Sequence, residues 1–263
     1  MYDPPAYVWV LTTGGPAAIA AATCIALYGG AERAGLGRRR AGPLGGAAAI
    51  VLGGWFTATV VIAGHGWYDT RPGQVPWMAI AAAGSLATLL ALSRIPVVAR
   101  ALSAPGMASR LVLPHSFRVA GVFFLLYLAL GHLPALFALP AGLGDIAAGI
   151  AAPLVALRLS RGTGRRAGLW FNAYGLTDLA TATTLGALTG YGLLHVTPSS
   201  APISQLPLAL VITADVPLMI ALHITCLVTL ARASRPAPPA AGPLLSDATP
   251  PGAVTQSTGT RAR

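Results

Sequence analysis

Two aspartates stand where carboxylates are expensive. Asp178 and Asp215 both fall inside long apolar stretches. An ionisable side chain within a membrane span costs about 2.5–3.5 kcal/mol on insertion scales, so it is kept for a reason. Around Asp178 the residues Tyr174, Thr177, Thr181 and Thr184 recur at i, i+3, i+4 spacing, which on a helix forms one polar stripe. Asn172 adds an amide just before it. His223 follows Asp215 by eight residues, roughly 12 Å along the same side of a helix. This set predicts a mid-membrane site. Asp178 and Asp215 would face one cavity, where two carboxylates in low dielectric cannot both ionise cheaply. His223 would relay protons, Thr177 and Thr181 would supply hydrogen bonds, and Tyr174 a wall. The bland alternative is interhelical hydrogen bonding by a neutral Asp, worth about 0.6 kcal/mol.

A second group, His65, Asp69, His132, Asp145 and His195, collects at the ends of apolar stretches on one side. Asp145 is expected to open a helix, where a carboxylate complements the N-terminal dipole. Pro134 and Pro140 are expected to bracket a tight turn that brings His132 and Asp145 together. Three His and two Asp on one rim also suit a metal or a haem. No HExxH and no paired CxxC supports one, so the sequence assigns neither metal nor cofactor.

The elements that position these residues follow from composition. Of 263 residues 55% are hydrophobic and 9% charged, with a mean hydropathy of +0.68. Soluble domains carry about 25% charged residues, so this is a membrane protein. All 17 basic residues are Arg, which excludes a Lys Schiff base or a P-loop Lys and, with abundant Ala, Gly and Pro, fits a GC-rich bacterial gene. The Arg are scattered in short loops between apolar stretches, a topogenic signal rather than a nucleic-acid footprint. Cys24 and Cys226 lie inside apolar stretches as small buried hydrophobes.

Seven spans of about 20 residues are predicted, near residues 7–30, 44–63, 75–92, 119–132, 141–159, 169–188 and 206–230. The first reads as an uncleaved anchor. Sixteen Arg fall on one side. They are Arg33, Arg38, Arg39 and Arg40; Arg94, Arg100, Arg110 and Arg118; Arg158, Arg161, Arg165 and Arg166; and Arg232, Arg235, Arg261 and Arg263. Arg71 alone falls on the other. This predicts an all-α seven-helix bundle with the N-terminus outside and the C-terminus in the cytoplasm. The bundle would occupy residues 1–231, followed by a disordered cytoplasmic tail, 232–263. An internal repeat is also predicted. The stretch Gly37–Gly42 echoes Gly164–Gly168, and Gln74-Val-Pro76 echoes Gln205-Leu-Pro207, at offsets of 126 and 131. Spans 1–3 and 5–7 would be parallel copies joined by span 4.

The 3+1+3 layout resembles that of the SWEET sugar carriers and of the microbial opsins. Asp215-Val-Pro-Leu-Met219 is similar to the opsin segment in which Asp precedes the retinal Lys by four residues. Met219 stands at the Lys position, so no Schiff base forms. The segment Leu169–Tyr174 is loosely similar to the opsin chromophore wall. Gly142-Leu-Gly144-Asp145 and Tyr68-Asp69 resemble the GxGD and YD motifs of intramembrane aspartyl proteases, but two spans separate them. The segment Phe137–Asp145 resembles one recurring in uncharacterised bacterial multi-pass membrane proteins.

The reading favoured by these residues is a small-solute or proton-linked carrier of the cytoplasmic (inner) membrane. The rivals are an intramembrane enzyme acting on a lipid or isoprenoid, and a non-catalytic sensor or accessory subunit. A carrier predicts a water-filled path to both faces, and an enzyme a pocket open sideways to lipid. A subunit predicts a filled core with an exposed small-residue face such as Gly45/Ala49/Gly53. Expected partners are membrane lipids and a small apolar or weakly polar ligand. A homo-oligomer is allowed, and nucleic acid is not expected.

Overall fold

In the computed structural model of the chain, residues 4–69 and 74–232 are described. All regular structure among them is helical. The helices are α1 (Ala6–Arg33), α2 (Arg38–Gly64), α3 (Trp77–Leu92), α4 (Pro96–Leu102), α5 (Met107–Ala129), α6 (Ala135–Ser160), α7 (Arg165–Gly190) and α8 (Leu208–Arg232). Five of them, α1, α2, α5, α6 and α8, are long and apolar enough to cross a membrane. The pair α3 and α4, bent by 85° at Ser93–Ile95, makes a sixth if counted as one broken span. At 26 residues α7 has a span's length. Its stripe of Thr, Tyr and Asp keeps it out of the apolar set. Arg71 and the tail from residue 233 lie outside the described residues.

Local chemistry explains the breaks. Gly37 and Gly164 stand immediately before α2 and α7, and Pro76 and Pro207 immediately before α3 and α8. Both echoed sequence pairs therefore occupy helix starts. Within α5, residues Leu113–Gly121 wind as a 3-10 helix, with Pro114 in its first turn. Within α8, Val211–Asp215 is a π-helical stretch just before Pro217. Pro217 has no N–H for the carbonyl of Thr213, four residues back. The Trp55 indole of α2 donates to that carbonyl instead, at 2.9 Å. Rare π turns of this kind are frequent at functional sites.

The 3-10 stretch of α5 is the hub of the packing, with α6 on one side and α1 on the other. Small residues permit the approach. A Cβ on Gly15 of α1 would stand 2.7 Å from that of Ala120, and one on Gly149 of α6 would stand 2.5 Å from the Val119 nitrogen. α7 packs on α6 and α8, and α3 packs on α8. α2 leans on α1 with little of its surface covered.

Two predicted boundaries are corrected. α5 begins at Met107, so Arg110 and Arg118 lie inside a helix and not in the loop before it. α6 begins at Ala135, with Pro140 inside it, because a proline one turn from a helix start removes a single hydrogen bond without ending the helix. Asp145 is thus the eleventh residue of its helix rather than its opening.

Candidate functional site

At the middle of α5 stands Arg118, the twelfth of 23 residues, with a side chain 0% exposed. A buried guanidinium has five N–H donors and no other way to be satisfied than by acceptors built around it. Its Nε donates to Asp145 Oδ1 of α6 at 2.8 Å. Its Nη2 lies 2.6 Å from the same oxygen and donates to Asp178 Oδ2 of α7 at 2.5 Å. Asp145 and Asp178 are the eleventh and fourteenth residues of 26-residue helices, so all three charges sit near mid-length of their helices. Three consecutive long helices are thereby tied at one point.

The fourth helix enters through His223 of α8, whose Nε2 lies 3.5 Å from Arg118 Nη1. The Asn172 amide donates to the Gly168 carbonyl at 2.7 Å and to Cys226 Sγ at 3.3 Å, which turns its oxygen toward His223. His223 Nδ1 lies 2.9 Å from that oxygen. The network therefore calls for the tautomer with its proton on Nδ1 and its Nε2 lone pair aimed at Arg118. Cys226 Sγ donates onward to the Ala108 carbonyl at 3.6 Å. A file of polar groups thus runs from Asp178 through Arg118, His223 and Asn172 to Ala108, at the arginine-rich end of the bundle. His115, fully buried, stacks on His223 with centroids 3.9 Å apart and hydrogen-bonds to no protein group.

Glycines seat the charged groups. A Cβ on Gly121 would overlap the Asp145 side chain, one on Gly144 the Asp178 carboxylate, and one on Gly175 the His223 ring. Gly144 is the second glycine of the GxGD segment, so that motif is here a notch for the carboxylate of the next helix.

Asp215 is 4% exposed, and its Oδ1 has no hydrogen-bond partner in the protein. It lines a void of about 10 Å3 together with Arg118, Asp145 and Met219, about the lower limit for a single water. The sequence reading opposed Asp178 to Asp215 across a cavity. The structure instead gives Asp178 to Arg118, with Asp215 in the wall of the void beside Arg118 and Asp145.

Other expectations are corrected. Tyr174, Thr177, Thr181 and Thr184 face outward, because the stripe spans a wider arc than Asp178 alone. Thr181 donates to the Thr177 carbonyl of its own helix at 2.8 Å, and the Tyr174 hydroxyl to the Gly144 carbonyl at 3.4 Å. Asp145 leaves the rim group for Arg118. Ten residues of helix at 1.5 Å each carry it about 15 Å below the start of α6. His65 and His195 are exposed, and His65 Nδ1 lies 2.7 Å from the Val61 carbonyl. Asp69 and His132 are half-buried near the helix ends. Among the described residues no three His, Cys, Asp or Glu are grouped to hold a metal ion.

Arg118 is the functional residue that sequence reasoning missed, and His115 is its neighbour one turn earlier. The signal was there: two intramembrane carboxylates call for a cation, and His115 and Arg118 share an i, i+3 face.

Residues 75–231, well over half of the chain, match a family described as a domain of unknown function, DUF8737. The match covers Arg118, Asp145, Asn172, Asp178, Asp215 and His223. No curated protein matches the chain. No solved structure matches it either.

Proposed function

We infer function from the site itself, because the chain belongs to the DUF8737 family and that family's description names no activity. The proposal is a proton-linked carrier of a small solute in the cytoplasmic membrane, built on seven spans. Those spans would be α1, α2, the bent α3–α4 pair, α5, α6, α7 and α8. The N-terminus would be outside. Moving Arg118 from a loop into a span lowers the inner-side arginines from sixteen to fifteen against one, which leaves the bias intact. The shared starts of α2 and α7 and of α3 and α8 favour the 3+1+3 repeat.

One observation carries the reading: a single buried arginine shared by two carboxylates at mid-span, beside a third carboxylate with an unpartnered oxygen. On this reading Arg118 would take a second position, with Asp215 in place of Asp178. A proton or a solute that displaces Asp178 would let the guanidinium turn toward Asp215, and α7 would be freed from α5. The polar file from Arg118 to Ala108 supplies a proton route toward the arginine-rich end. The water-filled path to both faces expected of a carrier is not open here, where the site holds a void of about 10 Å3; on this reading the conformation is an occluded one. The enzyme reading has less support. The apolar grooves of about 260 and 300 Å3 that open on the bundle's sides carry none of the carboxylates in their walls.

The test is proton uptake by vesicles containing the full chain and an enclosed pH dye, driven by an imposed potential. Uptake above that of empty vesicles is expected, with loss in Asp178→Asn and in Asp215→Asn. Wild-type uptake no faster than that of empty vesicles would end the carrier reading. A specific observation keeps the accessory-subunit reading in view. The outer face of α2 exposes Gly42, Gly46, Ala49 and Gly53 beside a filled core, a surface suited to close helix packing.

A further inference from the structure

At the arginine-rich end of the bundle three segments enclose a cavity of about 500 Å3. The turn between α4 and α5 brings Ser103, and the first turn of α5 brings Ser109. The turn between α6 and α7 brings Gly164 and Arg165, and the last turn of α8 brings Thr229 and Arg232. Gly164 is where that turn closes on itself. A Cβ there would stand 2.6 Å from the Arg158 carbonyl carbon. The close turn carries the start of α7 to the cavity wall, and no side chain caps that start.

The lining is one-sided in its chemistry. Arg165 and Arg232, both exposed at the cavity mouth, meet no carboxylate among the described residues. Arg232 Nη1 donates to Ser103 Oγ at 3.4 Å, so the hydroxyl and the guanidinium already converge. Two guanidiniums, the Ser103 and Ser109 hydroxyls and the free N–H groups of a helix start are donors in excess of acceptors, while the Thr229 hydroxyl donates to the Thr225 carbonyl of its own helix. Such a set is matched by an anion with several oxygens, held by charge-assisted hydrogen bonds. Basic pockets between helices at the cytoplasmic edge of a membrane meet anionic headgroups. We propose that this cavity binds a phosphate group, of an anionic lipid headgroup or free in solution, with Arg165 and Arg232 as its clamps. The site meets the polar file from Arg118 only at Ala108, and it goes beyond the carrier reading.

The test uses the purified full chain. Phosphatidylglycerol retention, against phosphatidylcholine, is read by native mass spectrometry. Melting is read with and without inorganic phosphate. The expected result is retention of phosphatidylglycerol at least ten-fold tighter in wild type than in Arg165→Gln/Arg232→Gln. Arg161→Gln, an exposed arginine of the same turn outside the cavity wall, should behave as wild type. A phosphate-induced rise in melting that the double variant loses, without lipid retention, assigns the site to free phosphate. Should the double variant fail to fold, Ser103→Ala/Ser109→Ala decides, with an expected loss of about three-fold. Wild type retaining neither probe, or a folded clamp or hydroxyl variant binding like wild type, overturns the proposal.

Discussion

Replacing Arg118 by Met keeps much of the side-chain volume and deletes the charge that two carboxylates share. The Asp145 and Asp178 side chains are 11% and 9% exposed, so neither can turn to water. Removing one partner of a buried ion pair costs about 3–5 kcal/mol, because it strands the other charge. An exposed pair would cost about 0–1 kcal/mol. For a chain of this length 1 kcal/mol moves the midpoint by about 2–4 °C. Arg118→Met should therefore lower the melting temperature by roughly 6–20 °C. The companion variant separates stranded charge from lost packing. Arg118→Met/Asp145→Asn/Asp178→Asn removes all three charges and should recover most of the loss, since neutral replacement of a buried ion network is often harmless. The assay is thermal unfolding of the purified full chain in one detergent at neutral pH, followed by tryptophan fluorescence. A shift under 2 °C for Arg118→Met, or a triple variant no more stable than the single one, would refute the buried node.

Other outcomes follow from neighbouring contacts. Gly144→Ala and Gly175→Ala drive a methyl into the Asp178 carboxylate and the His223 ring, and each should cost about 1–3 kcal/mol in the same melting assay. Gly46→Ala, with nothing within 4 Å, should be neutral or stabilise by about 0.5–1 kcal/mol. Trp55→Phe leaves the Thr213 carbonyl without its donor and should cost about 1–3 kcal/mol, read by the same method. A reporter active only in the cytoplasm, fused after Arg263, should be active; activity only of an exported reporter would reverse the orientation.

The helices were legible where apolar runs end at arginines or glycines. α1 and α2 extend the predicted spans by a few residues at either end, since hydropathy marks the apolar middle and misses polar turns that remain helical. The start of α5 was hidden because Arg110, Pro114, His115, Ser116 and Arg118 read together as a loop. The 3-10 winding over Leu113–Gly121 also spoils the 3.6-residue period by which such a stretch would declare itself. At the site, Asp178, Asn172 and His223 were legible as expensive polar groups on neighbouring helices. That Asp145 belongs with them was not, because Pro140 suggested a helix start that lies six residues further on than the real one. The outward turn of the Thr stripe was not legible either, since spacing alone does not say which edge of a stripe faces the core.

The arrangement sets one arginine among three carboxylates, of which it binds two. A guanidinium matched by one carboxylate is neutral, and each further ionised carboxyl adds a charge that low dielectric leaves uncompensated. No other arginine among the described residues shares the network. On the carrier reading, the balance at the node would come from protons or from a cationic group brought by a solute. Asp145 accepts one hydrogen bond from Arg118 Nε and lies in ion-pair contact with Nη2, while Asp178 accepts one hydrogen bond from Nη2. Asp178 sits on α7, the long helix left with the polar outer stripe and the lowest apolar content. On the carrier reading, protonation of Asp178 would weaken its bond to Arg118 and so free α7 to move against the α5–α6 pair.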